Sequence, residues 1–253
     1  MRIGTAGWAV PRASAERFGD GPSALARYAT RFSCAEINST LYRGHRHDTY
    51  RRWAETVPAN FRFALKLPRA ITHEHRLVDA DGLLDAFLAE SAPLGPKRDV
   101  LLVQLPPSAA YAGDVAAAFF AALRRRYEGR VACEPRHASW FDGEATEMLR
   151  RYRVARVAAD PPVVAAAAEP GGWEQFTYRR LHGTPVMYRS AYESATLDAL
   201  AAALGATRAP AWCIFDNTSS GAAAANALDL LGRVAQRAGR ADGETHARRR
   251  ASG

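Results

Sequence analysis

Arg130-Val131-Ala132-Cys133-Glu134-Pro135-Arg136-His137-Ala138-Ser139-Trp140 begins as a strand and ends as a loop crowded with reactive side chains. Strand side chains alternate between faces, so Ala132, Glu134 and Arg136 share one face while Val131 and Cys133 share the other. A carboxylate and a guanidinium two residues apart, closing an otherwise apolar strand, are costly to bury without partners. A structural ion pair accounts for one such strand. The same event recurs along the chain, and the recurrence is what has to be explained.

Working outward, strand patterns fall at Arg2–Thr5, Cys34–Thr40, Phe61–Leu67, Asp99–Leu105, Arg130–Arg136, Val154–Asp160, Phe176–His182 and Ala211–Asn217. Most are followed by the i, i+3, i+4, i+7 apolar spacing of a helix packed on one side. Tyr50, Trp53, Ala54 and Val57 form one such face, and Ala116, Phe119, Phe120 and Leu123 another. One unit breaks the rule. Pro161 to Gly172 is bounded by prolines and glycines that leave room for a turn or two, so the sixth helix is expected to be short or missing. Strand–helix alternation with eight strands favours an α/β fold of the TIM (β/α)8 type, a closed parallel sheet, over an open doubly wound sheet. One barrel domain is expected over 1–238. The polar, Gly-containing stretch 239–253 reads as a disordered basic tail.

The composition is compatible with this. An apolar fraction of 48% is ample for a core, and no stretch approaches the roughly 18 continuous apolar residues of a membrane span. The first residues, Met1-Arg2-Ile3-Gly4, run straight into a strand with no apolar h-region, so a cytoplasmic protein is expected, with no membrane partner. Cys34, Cys133 and Cys213 are far apart, lack ligand spacing and sit in apolar strand patterns, which reads as three reduced core thiols. The net charge is +8. A basic excess admits a phosphate-bearing or nucleic-acid partner, although abundant arginine and alanine can also reflect a GC-rich genome.

In a parallel barrel the chemistry sits at the C-terminal strand ends. There the chain places Trp8, Glu36, Asn38, Tyr42, Lys66, Gln104, Glu134, Arg136, His137, Trp140, Asp160, Arg180, His182 and Asn217, with Asp216 beside the last. Glu36, Glu134, Asp160 and His182 are the right types for an oxygen/nitrogen metal site, but no HxH or HExxH spacing supports one, and no metal or cofactor is assigned. The alternative is acid/base chemistry by Glu134, with Glu36 second. Arg136, Lys66 and Arg180 would hold an anion, and His182 would shuttle a proton or orient the ligand. A desolvated lysine can also form a Schiff base, though pairing with a carboxylate or phosphate is the commoner outcome. Trp8, Tyr42 and Trp140 share loops with Arg43, Arg46 and Arg69, a mixture that suits stacking on bases and contacts to phosphate. They can equally plug the barrel top. No Gly-rich phosphate loop, GxSxG elbow or dinucleotide fingerprint occurs.

Several pieces resemble the YecE-like family, domain of unknown function 72. They are Ile3-Gly4-Thr5-Ala6-Gly7-Trp8, Glu36-Ile37-Asn38-Ser39-Thr40-Leu41-Tyr42, Phe63-Ala64-Leu65-Lys66, Ile71-Thr72-His73, Gln104-Leu105-Pro106-Pro107, Glu134 to Trp140, Arg180-Leu181-His182-Gly183, and Asp216-Asn217-Thr218 with Gly221 and Asn226. The resemblance implies a TIM barrel and assigns no activity. Its barrels look similar to those of endonuclease IV and sugar isomerases at the level of fold only. The chain departs from the family pattern at Ala6, Ala9 and Asp216, the last adding an acid at the mouth. The reading that results is an enzyme-like barrel acting on a phosphate-bearing or nucleic-acid-derived ligand. Its alternatives are a non-catalytic nucleic-acid-binding protein and a metal-dependent hydrolase.

Overall fold

The structure, a computed structural model, describes the backbone of residues 1–251 and the side chains as far as Gly239. The expected tail over 239–253 falls outside the described side chains, and the backbone of its first part is carried in the last helix. Among the described residues there are ten strands: β1 (Arg2–Thr5), β2 (Cys34–Ile37), β3 (Arg62–Lys66), β4 (Arg98–Gln104), β5 (Arg130–Glu134), β6 (Val154–Arg156), β7 (Ala158–Asp160), β8 (Gly171–Gly172), β9 (Thr177–Leu181) and β10 (Ala211–Phe215). Seven α-helices alternate with them: α1 (Ala24–Tyr28), α2 (His47–Thr56), α3 (Asp81–Glu90), α4 (Gly113–Arg126), α5 (Gly143–Arg151), α6 (Ser194–Ala206) and α7 (Ala222–Ala251). Where a sixth crossover helix would stand there is only a 3-10 turn, Ala165–Ala168, held short by the prolines and glycines around it. No helix among the described residues is long and apolar enough to cross a membrane.

The strands form two sheets, ordered β2-β3-β4-β5-β6-β8 and β1-β10-β9-β7. Every pairing is parallel except that of the two-residue β8 with β6. The sheets meet at two seams. At the first, Ala6 bridges Glu36 in parallel, and the Gly7 N–H donates to the Glu36 carbonyl at 2.8 Å. The Tyr28 hydroxyl stitches this seam, accepting from the Thr5 N–H at 2.8 Å and donating to the Cys34 carbonyl at 3.0 Å. Gly4 permits the close approach, because a Cβ there would run into the Cys34 carbonyl oxygen. At the second seam, the segment read as one strand over Val154–Asp160 changes partner. Its first half pairs with β5 and its second with β9, and Val157 between them donates its N–H to the Cys133 carbonyl at 2.8 Å.

The period of two in each strand divides the core into two layers. Leu65, Leu101, Val131, Cys133 and Phe215 face outward onto Leu84, Phe120, Leu149, Leu204 and Ala227 of the helices. Ala64, Leu102, Ala132, Ala155, Val157, Tyr178 and Ile214 form a separate inner cluster. Each large apolar side chain buried in these layers contributes about 1.5–3 kcal/mol. The three thiols are free and buried as expected, Cys34 within the inner cluster.

Candidate functional site

The inner rows build the site. Two residues beyond Cys34, Ala64, Leu102 and Ala132 on the same face come Glu36, Lys66, Gln104 and Glu134. Two beyond Tyr178 comes Arg180, then His182, and two beyond Ile214 comes Asp216. Parallel strands put all these positions at the same end, so one polar layer covers the apolar inner cluster. The layer is dry. Glu36, Glu134, Arg180 and His182 are fully buried, and Asp216, Lys66 and Gln104 are 5%, 6% and 9% exposed.

Arg180 is its hub. Its Nε and Nη2 grip Glu36 as a fork, at 3.1 Å to Oε2 and 2.7 Å to Oε1. Nη1 binds Glu134 Oε2 at 2.6 Å, and Nη2 also reaches Asp216 Oδ2 at 2.9 Å. The Tyr178 hydroxyl donates to Glu36 Oε2 at 2.8 Å, and Asn38 Nδ2 donates to Asp216 Oδ1 at 3.3 Å. Nearer the rim, Arg136 Nη1 donates to Glu134 Oε1 at 2.7 Å. The strap after β9 lies above it, with Met187 Sδ 3.6 Å from Arg136 Nη2 and the Tyr188 ring edge-on to His182 at 5.7 Å. Tyr188 holds a left-handed φ of 66°, an uncommon state for a bulky residue.

His182 fixes the protonation of the cluster. Its Nε2 faces Glu134 Oε1 at 2.8 Å and its Nδ1 faces Asp216 Oδ2 at 3.0 Å. A carboxylate oxygen only accepts, so both ring nitrogens carry hydrogen and the ring is an imidazolium. The 3.2 Å approach of Arg136 Nη1 to Nε2 is then two donors converging on one carboxylate oxygen. Burial disfavours this charge, but Glu134 and Asp216 outweigh it and raise the His182 pKa. Burial likewise opposes ionisation of Glu134 and Asp216. Arg180 and His182, joined by Arg136 at Glu134, override it and lower both pKa values, that of Glu134 well below the carboxylate range.

Three carboxylates, Glu36, Glu134 and Asp216, therefore meet three cations, Arg136, Arg180 and the imidazolium. Lys66 is surplus to this balance. Among the described residues its carbonyl accepts from Thr40 Oγ1 at 2.6 Å, but its ammonium has no hydrogen bond and no ion pair, although the residue is 6% exposed. Burial, with Arg180 second, lowers its pKa despite the opposing pull of Glu36, Glu134 and Asp216. His73 is nearby, and partial burial, Lys66 and Arg69 lower its pKa too. Asn38 Oδ1 is buried without a partner, and Gln104, opposite Glu134 in register, has both amide atoms free of hydrogen bonds among the described residues.

Of the residues singled out in the sequence, Glu36, Lys66, Glu134, Arg136, Arg180, His182, Asp216, Asn38 and Gln104 come together. The others do not. Asp160 accepts from Thr184 Oγ1 at 2.7 Å and the Tyr192 hydroxyl at 2.6 Å, tying down the strap. Asn217 turns to the Ser190 carbonyl and to Asn226 of α7 at 2.9 and 3.0 Å. His137 caps a 3-10 turn through Ser139. Trp140 is buried and donates from Nε1 to the Ala109 carbonyl at 3.0 Å. Trp8 packs edge-on against Trp53 at 4.9 Å, and Tyr42 stands 74% exposed beside another cleft. Asp216, read from the sequence only as the neighbour of Asn217 and an added acid at the mouth, belongs to the site, and Tyr178 and His73 join it at its border. Parity marks the first two, since Asp216 shares a face with Ile214 and Tyr178 with Arg180.

The family model described as "Protein of unknown function DUF72" matches residues 2–250. The chain belongs to this family. The DUF72 chain is 37% identical over 86 residues to the UPF0759 protein YecE of Escherichia coli K12, a match covering 34% of this chain and 32% of that protein. It thus matches about a third of the length of that curated relative. Its fold is similar to a DUF72 family protein of Enterococcus faecalis V583, with a TM-score of 0.75 and 21% identity over 92% of this chain and 94% of that one. A DUF72 family protein of Thermotoga maritima MSB8 gives 0.72 and 22%, over 91% and 97%. At these identities the two structures establish a shared fold for the DUF72 chain and leave its chemistry to its own residues.

Proposed function

We propose that the two sheets close at their seams into one eight-stranded TIM barrel, and that its mouth binds a small phosphate-bearing or other anionic ligand and exchanges a proton with it. The unpartnered ammonium of Lys66, on a side chain only 6% exposed, carries this reading. The cluster below it is already neutral, so the mouth holds one positive charge in excess, in a low-dielectric place where an anion is worth most. Lys66 and the free edge of Arg136 would hold the anion. Asn38 Oδ1 would accept from a ligand hydroxyl, and Gln104 would take either role.

Arg180 and Glu36 serve as the floor of the site, since Nε, Nη1 and Nη2 of Arg180 each already bind a carboxylate. Glu134 is the working acid or base. When an arriving anion draws Arg136 away, Glu134 Oε1 is left with the imidazolium alone, and the His182–Glu134 pair can give or take a proton.

A small ligand is better supported than a nucleic-acid strand, because the free polar groups lie inside the mouth and Trp140 is 2% exposed, so it offers no stacking face. Metal-dependent hydrolysis has less support still, since donors from arginine and histidine occupy the carboxylates and no group of three metal-ligating side chains occurs among the described residues. Calorimetric titration of inorganic phosphate, sugar phosphates and nucleoside monophosphates into the protein tests the reading. Binding that is lost in Lys66→Met supports it, and binding unchanged in that variant refutes it.

A further inference from the structure

We propose that Lys66 is a covalent site, at which its amine condenses with an aldehyde or ketone carrying an anionic group to form an imine. The inference rests on the anion-binding reading for the way such a compound is held. It begins with an imbalance of composition. Of the 34 basic residues only Lys66 and Lys97 are lysines. The chain uses arginine for almost every positive charge, and a purely electrostatic task at position 66 would suit arginine, whose charge is permanent. Lys97 has a reason to be lysine, because its compact ammonium sits between the carbonyls of Ala54 and Val57 at 2.5 and 2.6 Å, at the end of α2. Lys66 has no such partners.

What Lys66 has is what imine formation needs. An amine must be free of an ion pair, spend time unprotonated, and lie near an acid that helps water to leave. The nearby carboxylates are engaged by Arg180, Arg136 and His182, which leaves Lys66 unpaired. Burial and Arg180 both favour the neutral amine. The acid is the imidazolium of His182 in the same polar layer.

The neutral amine adds to the carbonyl carbon, and one of its protons passes to the oxygen, giving a carbinolamine. The His182 proton then reaches the hydroxyl by way of Glu134, which takes it from Nε2 and gives it up, and the hydroxyl departs as water while the nitrogen lone pair forms the C=N bond. The positive charge moves from the imidazolium to the iminium, so the step needs no oxidant or other co-reactant.

The test is reductive trapping of the full-length protein at neutral pH with glycolaldehyde phosphate and sodium cyanoborohydride, read by intact mass and peptide mapping. Its amines are Lys66, Lys97 and the amino terminus, so the trapped site is unambiguous. A single adduct is expected on Lys66, formed at least about ten-fold faster than on Lys97 and about ten-fold faster than with glycolaldehyde lacking the phosphate. Lys66→Arg should lose the adduct, whereas Lys97→Arg should keep both the adduct on Lys66 and the rise in melting temperature that inorganic phosphate gives the parent. Adducts confined to Lys97 or the amino terminus, in a parent that phosphate still stabilises, would overturn the imine and leave the anion site standing. A parent that phosphate does not stabilise, trapped on Lys66 no faster with the phosphate than without it, would overturn the anion site and retain the amine chemistry.

Discussion

Replacing Lys66 by methionine should stabilise the free protein and abolish its affinity for anions. Methionine keeps an unbranched apolar stem of similar reach and removes the ammonium. The carboxylates lose nothing they bind, because Glu36, Glu134 and Asp216 are matched by Arg136, Arg180 and the His182 imidazolium. A buried polar group left unsatisfied costs about 1–3 kcal/mol, and a charged one costs more. Lys66 is 6% exposed and its ammonium keeps some contact with solvent, so removing it should return up to about 1–3 kcal/mol, which for a chain of this size raises the melting temperature by up to about 12 °C. Groups held for binding are commonly unfavourable for folding, which is the trade-off expected here. The assay is calorimetric melting at neutral pH and low salt, with and without inorganic phosphate. Phosphate at about a hundred times its dissociation constant should add about 2.7 kcal/mol to the parent and nothing to the variant. A variant that melts several degrees below the parent, or that phosphate still stabilises, would refute the reasoning.

Glu134→Gln should act in the opposite sense. It leaves Arg180, Arg136 and His182 short of a buried anion, a loss of about 3–5 kcal/mol, seen as a lower denaturant midpoint with an unchanged slope. A loss under about 1 kcal/mol would mean that the network does not share this carboxylate as described. The pH dependence has two limbs. Because the His182 pKa is raised, its contribution is complete below the ordinary value of about 6.5 and lost as the pH climbs through the raised value. Because the Asp216 and Glu134 values are lowered, theirs is present above about 4 and lost as the pH falls through the lowered values. His182→Gln should flatten the upper limb in stability-versus-pH melts, and an unaltered limb would assign it to another group. Trp140→Phe strands the Ala109 carbonyl and should cost about 1–3 kcal/mol in the same melts, while phosphate binding by calorimetry stays unchanged.

Much of this was legible in the sequence because a strand has a period of two. The eight strand patterns coincide with the observed strands to within a few residues. Glu36, Lys66, Glu134 and Arg180 each stand two places beyond an inward apolar residue. The same parity, applied strictly, separates the misplaced residues. Ala155, Val157 and Ala159 fall on one face, so Asp160 falls on the other and meets Tyr192. Asn217 is out of phase with Ile214 and Asp216, and it meets Asn226 of α7. What alternation does not reach is the loops. His137 and Trp140 lie past the strand end, where local capping and the packing of α4 decide their direction. The change of partner at Val157 is equally invisible, because it depends on the position of β9.

The central claim is that a surplus positive charge at the mouth holds an anion, and the most direct measurement is a crystal soaked with tungstate, an oxyanion with a strong anomalous signal. The expected result is one anomalous peak within hydrogen-bonding distance of Lys66 Nζ and the Arg136 guanidinium, absent in Lys66→Met crystals. An empty mouth, with tungstate bound only at surface arginines, would contradict it.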